Sequence, residues 1–284
     1  MMKHKIFAFL ALALCIACNT NAPTAPKEET KTEAKKGPKM EPVPEFQAIL
    51  DSHLLKGSVL VFDHAANNFY SNDFDRSNTG YLPASTFKIT NSIIGLETGM
   101  VDTNYIFKWD GKARRLKSWE KDMNLHAAYH ASCVPCYQEL ARKIGTTRMN
   151  DYLKKFEYGN MVVVDSSLDK FWLEGPSRIS QMQQIQFLIK LYQKQLPVSA
   201  QTYAAMEKIM LLEETADYKL YGKTGWSIRD GFNVGWFVGW FQTADKVYFV
   251  ATNVEPTPEF DMDNFGRVRM QASKEAFLHI LKSF

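Results

Sequence analysis

Two short stretches carry residues whose types and spacing suit acyl transfer. In PASTFKITN, Ser85 and Lys88 form a Ser-x-x-Lys pair at the start of a helical pattern. Side chains three apart on a helix share a face, so the lysine nitrogen can approach the serine oxygen. A serine hydroxyl is a weak nucleophile until a neighbour takes its proton, and a neutral lysine or a derivative of one can do that. Free N–H groups at a helix start, that of Ser85 included, can form half of an oxyanion hole. Taken alone, the pair also reads as a helix cap and a solvated lysine. The flanking Phe87, Ile89 and Ile93 argue against that, because they put Lys88 on or near an apolar face. The second stretch, YGKTGW, holds Lys223, Thr224 and Gly225 in a strand-like run. Glycine after a small hydroxyl residue lets a ligand approach the strand edge closely, while Lys223 supplies positive charge for a carboxylate. An ordinary edge strand is the plainer alternative.

The elements that must position these residues follow from periodicity. GSVLVFD from Gly57 and NFYSN after Asn67 read as strands joined by a turn. From Ser85 onward, Ile89, Ile93 and Leu96 recur at helical spacing, and Gly99 marks a stop. Tyr137, Leu140, Ala141 and Ile144 form a second apolar helix face, and Met149, Tyr152, Leu153 and Phe156 a third. Ser180 and Gln183 make a capping box ahead of Ile185, Leu188 and Tyr192, and a fifth helix is expected from Ala200 to Leu212. YKLYGKTGW, NVGWFVGWF and KVYFVATNV then read as strands divided by Asp-Gly and Ala-Asp turns, before a last helix through Ala272, Ala276, Phe277, Ile280 and Leu281. The predicted fold is α/β of the α+β type: an antiparallel sheet completed by both termini, flanked by helices, with an inserted all-helical lobe. A cleft between sheet and lobe is the natural site.

Ser-x-x-Lys followed by Lys-Thr-Gly, in this order and on these elements, resembles the β-lactamase and penicillin-binding protein superfamily. Three more stretches are similar to its class D, oxacillinase-type branch: Ser132-Cys133-Val134, Tyr158-Gly159-Asn160, and KFWLEG from Lys170 to Gly175. The resemblance runs from about Phe46 to the C-terminus and implies the serine β-lactamase/DD-peptidase fold. It implies that Ser85 attacks the β-lactam carbonyl while the N–H groups of Ser85 and Trp226 hold the oxyanion. Lys88 is then expected to carry carbon dioxide as an N6-carboxylate held by Trp172 and facing Val134, with no other cofactor. Burial agrees with this, since an apolar pocket favours the neutral amine to which carbon dioxide adds. Ser132 is expected to pass a proton toward the leaving nitrogen, and Lys223, Thr224, Gly225 and an arginine to receive the substrate carboxylate. Arg269 is preferred to Arg267 for that role, because MQASKEAF aligns better with the family's last helix. Glu174 falls in the structural WLEG loop, and no chemistry is assigned to Tyr158 or Asn160.

The remaining features bound the reading. Of 284 residues, 45% are apolar and 23% charged, enough for one catalytic domain, expected at residues 43–284. The net charge of +3 is scattered over mixed signs, which argues against nucleic acid as a partner. Lys3 and Lys5 ahead of the Ile6 to Ala17 run make residues 1–18 an export signal to the bacterial periplasm. Cys18 resembles a lipobox cysteine, so membrane attachment is expected only through a lipid there; a plain signal peptide is the alternative. Residues 19–42, rich in Thr, Pro, Lys and Glu, read as a disordered tether. Cys133 and Cys136 are read either as a disulfide or as two buried thiols, and no metal site is assigned. The chain is expected to act as a monomer or homodimer. Competing functions are a penicillin-sensing receptor domain that stays acylated, a D-alanyl-D-alanine peptidase, and a non-catalytic surface lipoprotein.

Overall fold

The computed structural model describes residues 37–229 and 231–283. The export signal, Cys18 and most of the tether therefore lie outside the described residues. One unit begins at Gly37. The last residues assigned to the tether are instead a strand, β1 (Lys39–Pro42), which runs parallel to β3 (Asn68–Ser71). Periodicity missed it because this edge strand is largely exposed and is held by its backbone ladder, which leaves no apolar alternation to read.

Helix α1 (Glu45–Ser52) follows, and β2 (Leu55–Asp63) then pairs with β3. After α2 (Phe74–Asn78) the chain makes a 3-10 turn, Ala84–Phe87, that continues into α3 (Lys88–Glu97). The helical lobe contains a two-stranded ribbon, β4 (Ile106–Phe107) with β5 (Met123–Asn124), and helices α4 (Leu125–His130), α5 (Val134–Ile144) and α6 (Thr146–Phe156). Helix α7 (Gln181–Tyr192) starts at the capping box of Ser180 and Gln183, and α8 (Ala200–Met210) leads into β6 (Leu211–Glu214). The chain ends in β7 (Lys219–Arg229), β8 (Phe232–Gln242), β9 (Val247–Pro256) and α9 (Phe265–Ser283).

The seven strands are ordered β1-β3-β2-β9-β8-β7-β6, antiparallel apart from the β1–β3 pair. Strand β2 from the N-terminal part lies beside β9 from the C-terminal part, so both ends of the domain complete the sheet. Alternation along β9 divides two cores. Tyr248, Val250 and Val254 face α1 and α9, packing with Phe46, Leu50 and Phe277, whereas Phe249 and Ala251 face the larger core that contains the lobe helices. The α/β arrangement with an inserted helical lobe is as expected.

Candidate active site

The nucleophile's turn is built against local preference. Ala84 sits at φ 49°, a left-handed conformation that costs a non-glycine residue on the order of 1–2 kcal/mol. Several long-range bonds hold it there. The Ala84 N–H donates to the Trp172 carbonyl (2.8 Å), the Trp236 indole donates to the Leu82 carbonyl (2.9 Å), and the Gln184 amide donates to the Thr86 hydroxyl (2.9 Å). Ser85 therefore lies in the 3-10 turn, with Lys88 the first residue of α3. Side chains at i and i+3 eclipse in a 3-10 turn, which brings Lys88 Nζ to 2.7 Å from Ser85 Oγ.

Lys88 is 1% exposed, and burial, helped by the positive charge of Lys223, holds its amine well below the usual lysine range. A neutral amine can accept the Ser85 proton. Around it, the ammonium position lies 5.1 Å from the Tyr137 ring centre on α5, one turn beyond Val134. Trp172 is fully buried and stacks on Phe87 at 5.5 Å, yet its indole N–H has no hydrogen-bond partner among the described residues. A buried unpaired donor costs about 1–3 kcal/mol, so this one is poised for an acceptor.

Ser132 lies in the short link between α4 and α5, half-buried and at φ 52°. The two helices bracket the site: Tyr129 of α4 carries Lys223 Nζ over its ring at 5.6 Å, and Tyr137 of α5 faces Lys88. The Tyr129 hydroxyl donates to the Gly222 carbonyl (2.9 Å), which fixes lobe to sheet. Strand β6 pairs with β7 only as far as Tyr221, so beyond it this edge of β7 has no described strand partner. Because the Gly222 carbonyl points to the lobe, two-residue parity aims the Thr224 and Trp226 amides the same way. Gly225 is closely packed: a Cβ there would lie 3.1 Å from Thr86 Cγ2 and 3.2 Å from the Pro83 carbonyl.

Lys223 is buried, its amine pushed down to about 7 by burial and by the nearby Arg269 charge. Its Nζ donates to the Thr224 carbonyl at 3.2 Å. Arg269 is buried on α9, donates to the Gly225 carbonyl, and lies over the Trp226 ring at 5.8 Å; burial lowers it to about 10. Arg267 instead bonds Asn264 at the surface, so Arg269 is the arginine brought to this strand. Gly235 makes room for it, since a Cβ there would come within 2.3 Å of Arg269 Cδ. Sequence reading missed Gly235 and Gln184, whose contributions arise only from contacts between distant segments.

Lys88 and Lys223 thus lie close enough to feel each other's charge, as do Lys223 and Arg269, and none of the three forms an ion pair with a described carboxylate. Tyr158 is core, packed on Phe87 and Phe187, while Asn160 pairs by its backbone with Arg178. His126 and His130 stack on each other at 4.2 Å, and the His130 ring bonds the Ile209 carbonyl. Cys133 and Cys136 form a disulfide, which decides between the two readings of that pair.

Comparison with known proteins agrees with this geometry. The penicillin binding protein transpeptidase domain matches residues 56–278. The chain is 40% identical over 223 residues to β-lactamase OXA-10 of Pseudomonas aeruginosa, covering 77% of this chain and 81% of that one. The solved class D β-lactamase of Sebaldella termitidis superposes with a TM-score of 0.81 at 36% identity, covering 86% of this chain and 98% of that one. The C-terminal domain of the Bacillus licheniformis BlaR penicillin-receptor also superposes, with a TM-score of 0.79 at 26% identity over 86% of this chain and 97% of the receptor domain. The extent of the sequence match, together with a shared fold and a buried Ser-Lys pair, means that this chain belongs to the class D β-lactamases.

Proposed function

We propose that this enzyme hydrolyses the amide bond of penicillin-type β-lactams through an acyl-enzyme on Ser85. The observation that carries the reading is the 2.7 Å approach of Lys88 to Ser85 beside two buried basic side chains, Lys223 and Arg269, that pair with no described carboxylate. Uncompensated buried charge is costly, so such a site favours an anionic ligand. Lys223, Arg269 and the Thr224 hydroxyl would receive the substrate carboxylate. Ser85 Oγ would then attack the carbonyl, with the Ser85 and Trp226 N–H groups stabilising the oxyanion. Ser132 would pass a proton to the departing nitrogen.

The surroundings of Lys88 fit a carbon dioxide adduct: its amine is kept neutral, and the orphaned Trp172 indole would donate to the new carboxylate. That adduct would supply a carboxylate base able to take the proton of Ser85 and later that of water. The same residues could serve both half-reactions, so no separate glutamate is needed for deacylation.

The test uses a chromogenic cephalosporin with and without bicarbonate, on the parent and on Lys88→Ala, with 13C-bicarbonate NMR on both. The parent should turn over, gain activity with bicarbonate and give a carbamate signal. The variant should lose about 10³-fold or more in kcat and give no signal. Parent-level turnover by Lys88→Ala would sink the assignment. A single burst without turnover by the parent would make the chain a receptor-like binder.

A further inference from the structure

The Ser132 link is a strained turn held from both sides. Helix α4 ends in a Schellman cap: the Ser132 N–H donates to the Tyr129 carbonyl (3.0 Å) and the Cys133 N–H to the Ala128 carbonyl (2.9 Å). Ser132 occupies the left-handed position that glycine normally fills in such a cap. The next residue, Cys133, is already the N-cap of α5, its sulfur accepting the Cys136 N–H at 3.3 Å. Cysteine is not among the strong capping residues. The disulfide to Cys136 compensates by tying the cap to the first turn of the helix it starts. The bridge therefore fixes the exit direction of the chain immediately after Ser132, between the helices that hold Tyr129 and Tyr137.

The bridge is also reachable. A cavity of about 280 Å³ opens beside it, lined by Phe107, Trp109, Trp119, Cys133, Cys136 and Arg142 among others. Trp119, in its wall, donates to the Ala131 carbonyl at 2.9 Å, so the cavity wall and the Ser132 link are joined directly. Both cysteines are largely buried, Cys136 (8% exposed) less completely than Cys133 (1%), so attack is expected at Cys136.

We propose that the Cys133–Cys136 disulfide is a positioning device for Ser132, and that a dithiol entering this cavity lowers turnover by opening it. The inference rests on the reading of Ser132 as the proton donor in acylation. In the chemical step, a dithiol thiolate attacks Cys136 Sγ, the S–S bond breaks and Cys133 leaves as thiolate. The second thiol then displaces Cys136, giving two protein thiols and one cyclic disulfide of the reductant. Two electrons pass from the dithiol to the protein, and the two thiol protons are retained on Cys133 and Cys136.

The experiment treats the full chain with excess dithiothreitol, follows Cys133 and Cys136 by alkylation and peptide mass mapping, and measures acylation by stopped flow. Opening the bridge should slow acylation about 10-fold to 10²-fold, the cost of a small misplacement of a reacting group. The deacylation rate and the near-UV circular dichroism should stay unchanged, and reoxidation should restore the acylation rate. Loss of the near-UV circular dichroism would mean general unfolding and overturn the proposal. The double variant Cys133→Ser, Cys136→Ala retains a good helix cap without the bridge. It should acylate at the slow rate and ignore dithiothreitol; parent-rate acylation by this variant would overturn the proposal. Ser132→Ala separates the two readings. If it acylates normally, the proton-donor assignment of Ser132 fails; if it is slow while the opened disulfide is not, only the positioning role fails.

Discussion

At the scale of single residues, the site works by withholding partners from charged and polar groups. Burial and the nearby Lys223 charge favour the neutral amine of Lys88, and Trp172 keeps an indole N–H unbonded in a fully buried position. Lys223 gives the most accessible readout, since its amine titrates at about 7. Below that pH it is an ammonium able to hold a carboxylate, and above it the charge is lost. The dependence of kcat/KM on pH reports groups of the free enzyme, so an alkaline decline with its midpoint near 7 is expected. Arginine stays charged over this range, and Lys223→Arg should therefore abolish the decline. Persistence of the same midpoint in that variant would assign the decline to another group.

At the scale of elements, the active geometry comes from close approaches between pieces that each look ordinary. The 3-10 turn eclipses Ser85 and Lys88 more tightly than an α-helix would, and the left-handed Ala84 that sets its entry is invisible to propensity. Strand β7 packs this closely on the turn because residue 225 lacks a side chain. Gly225→Ala should push strand and turn apart by a few tenths of an ångström. We expect kcat/KM to fall about 10-fold to 10²-fold and stability to drop by roughly 1–3 kcal/mol. Steady-state kinetics and urea unfolding check both numbers, and parent-like kinetics would mean that the contact is not critical. The KTG run marked this strand in the sequence, but the partner that its glycine packs against lies about 140 residues earlier, at Thr86.

At the scale of the whole molecule, the sheet brings N-terminal and C-terminal strands together and the fold buries Lys88, Lys223 and Arg269 without a carboxylate partner among the described residues. Stability should record that arrangement. Lys223 titrates at about 7 in the folded protein against 10.5 for a free lysine, so between these values the unfolded chain binds a proton that the folded one does not. Stability must then rise with pH across that window, whereas below 7 both states are protonated and the full penalty persists. Lys223→Met should raise stability near neutral pH by on the order of 4 kcal/mol and lose this pH dependence. Urea unfolding at pH 7 and 9.5 in bicarbonate-free buffer tests it. Equal slopes for parent and variant would show that Lys223 is charged in the fold, stabilised by something other than solvent.

The sequence by itself determined the chemical parts: Ser85 and Lys88 at helical spacing, Lys223 to Gly225 on a strand, and the main helices and strands. These signals are local, because a turn of helix or a pleat places neighbours within a few residues. What only the tertiary structure decided is whatever depends on distant contacts. The exposed strand β1 exists through pairing alone, Arg269 rather than Arg267 reaches β7 because Gly235 leaves space, and Cys133 joins Cys136 because the α5 cap sets their Cα atoms 5.5 Å apart. Desolvation, which turns a solvated lysine into the neutral partner of Ser85, likewise exists only once sheet and lobe have closed around it.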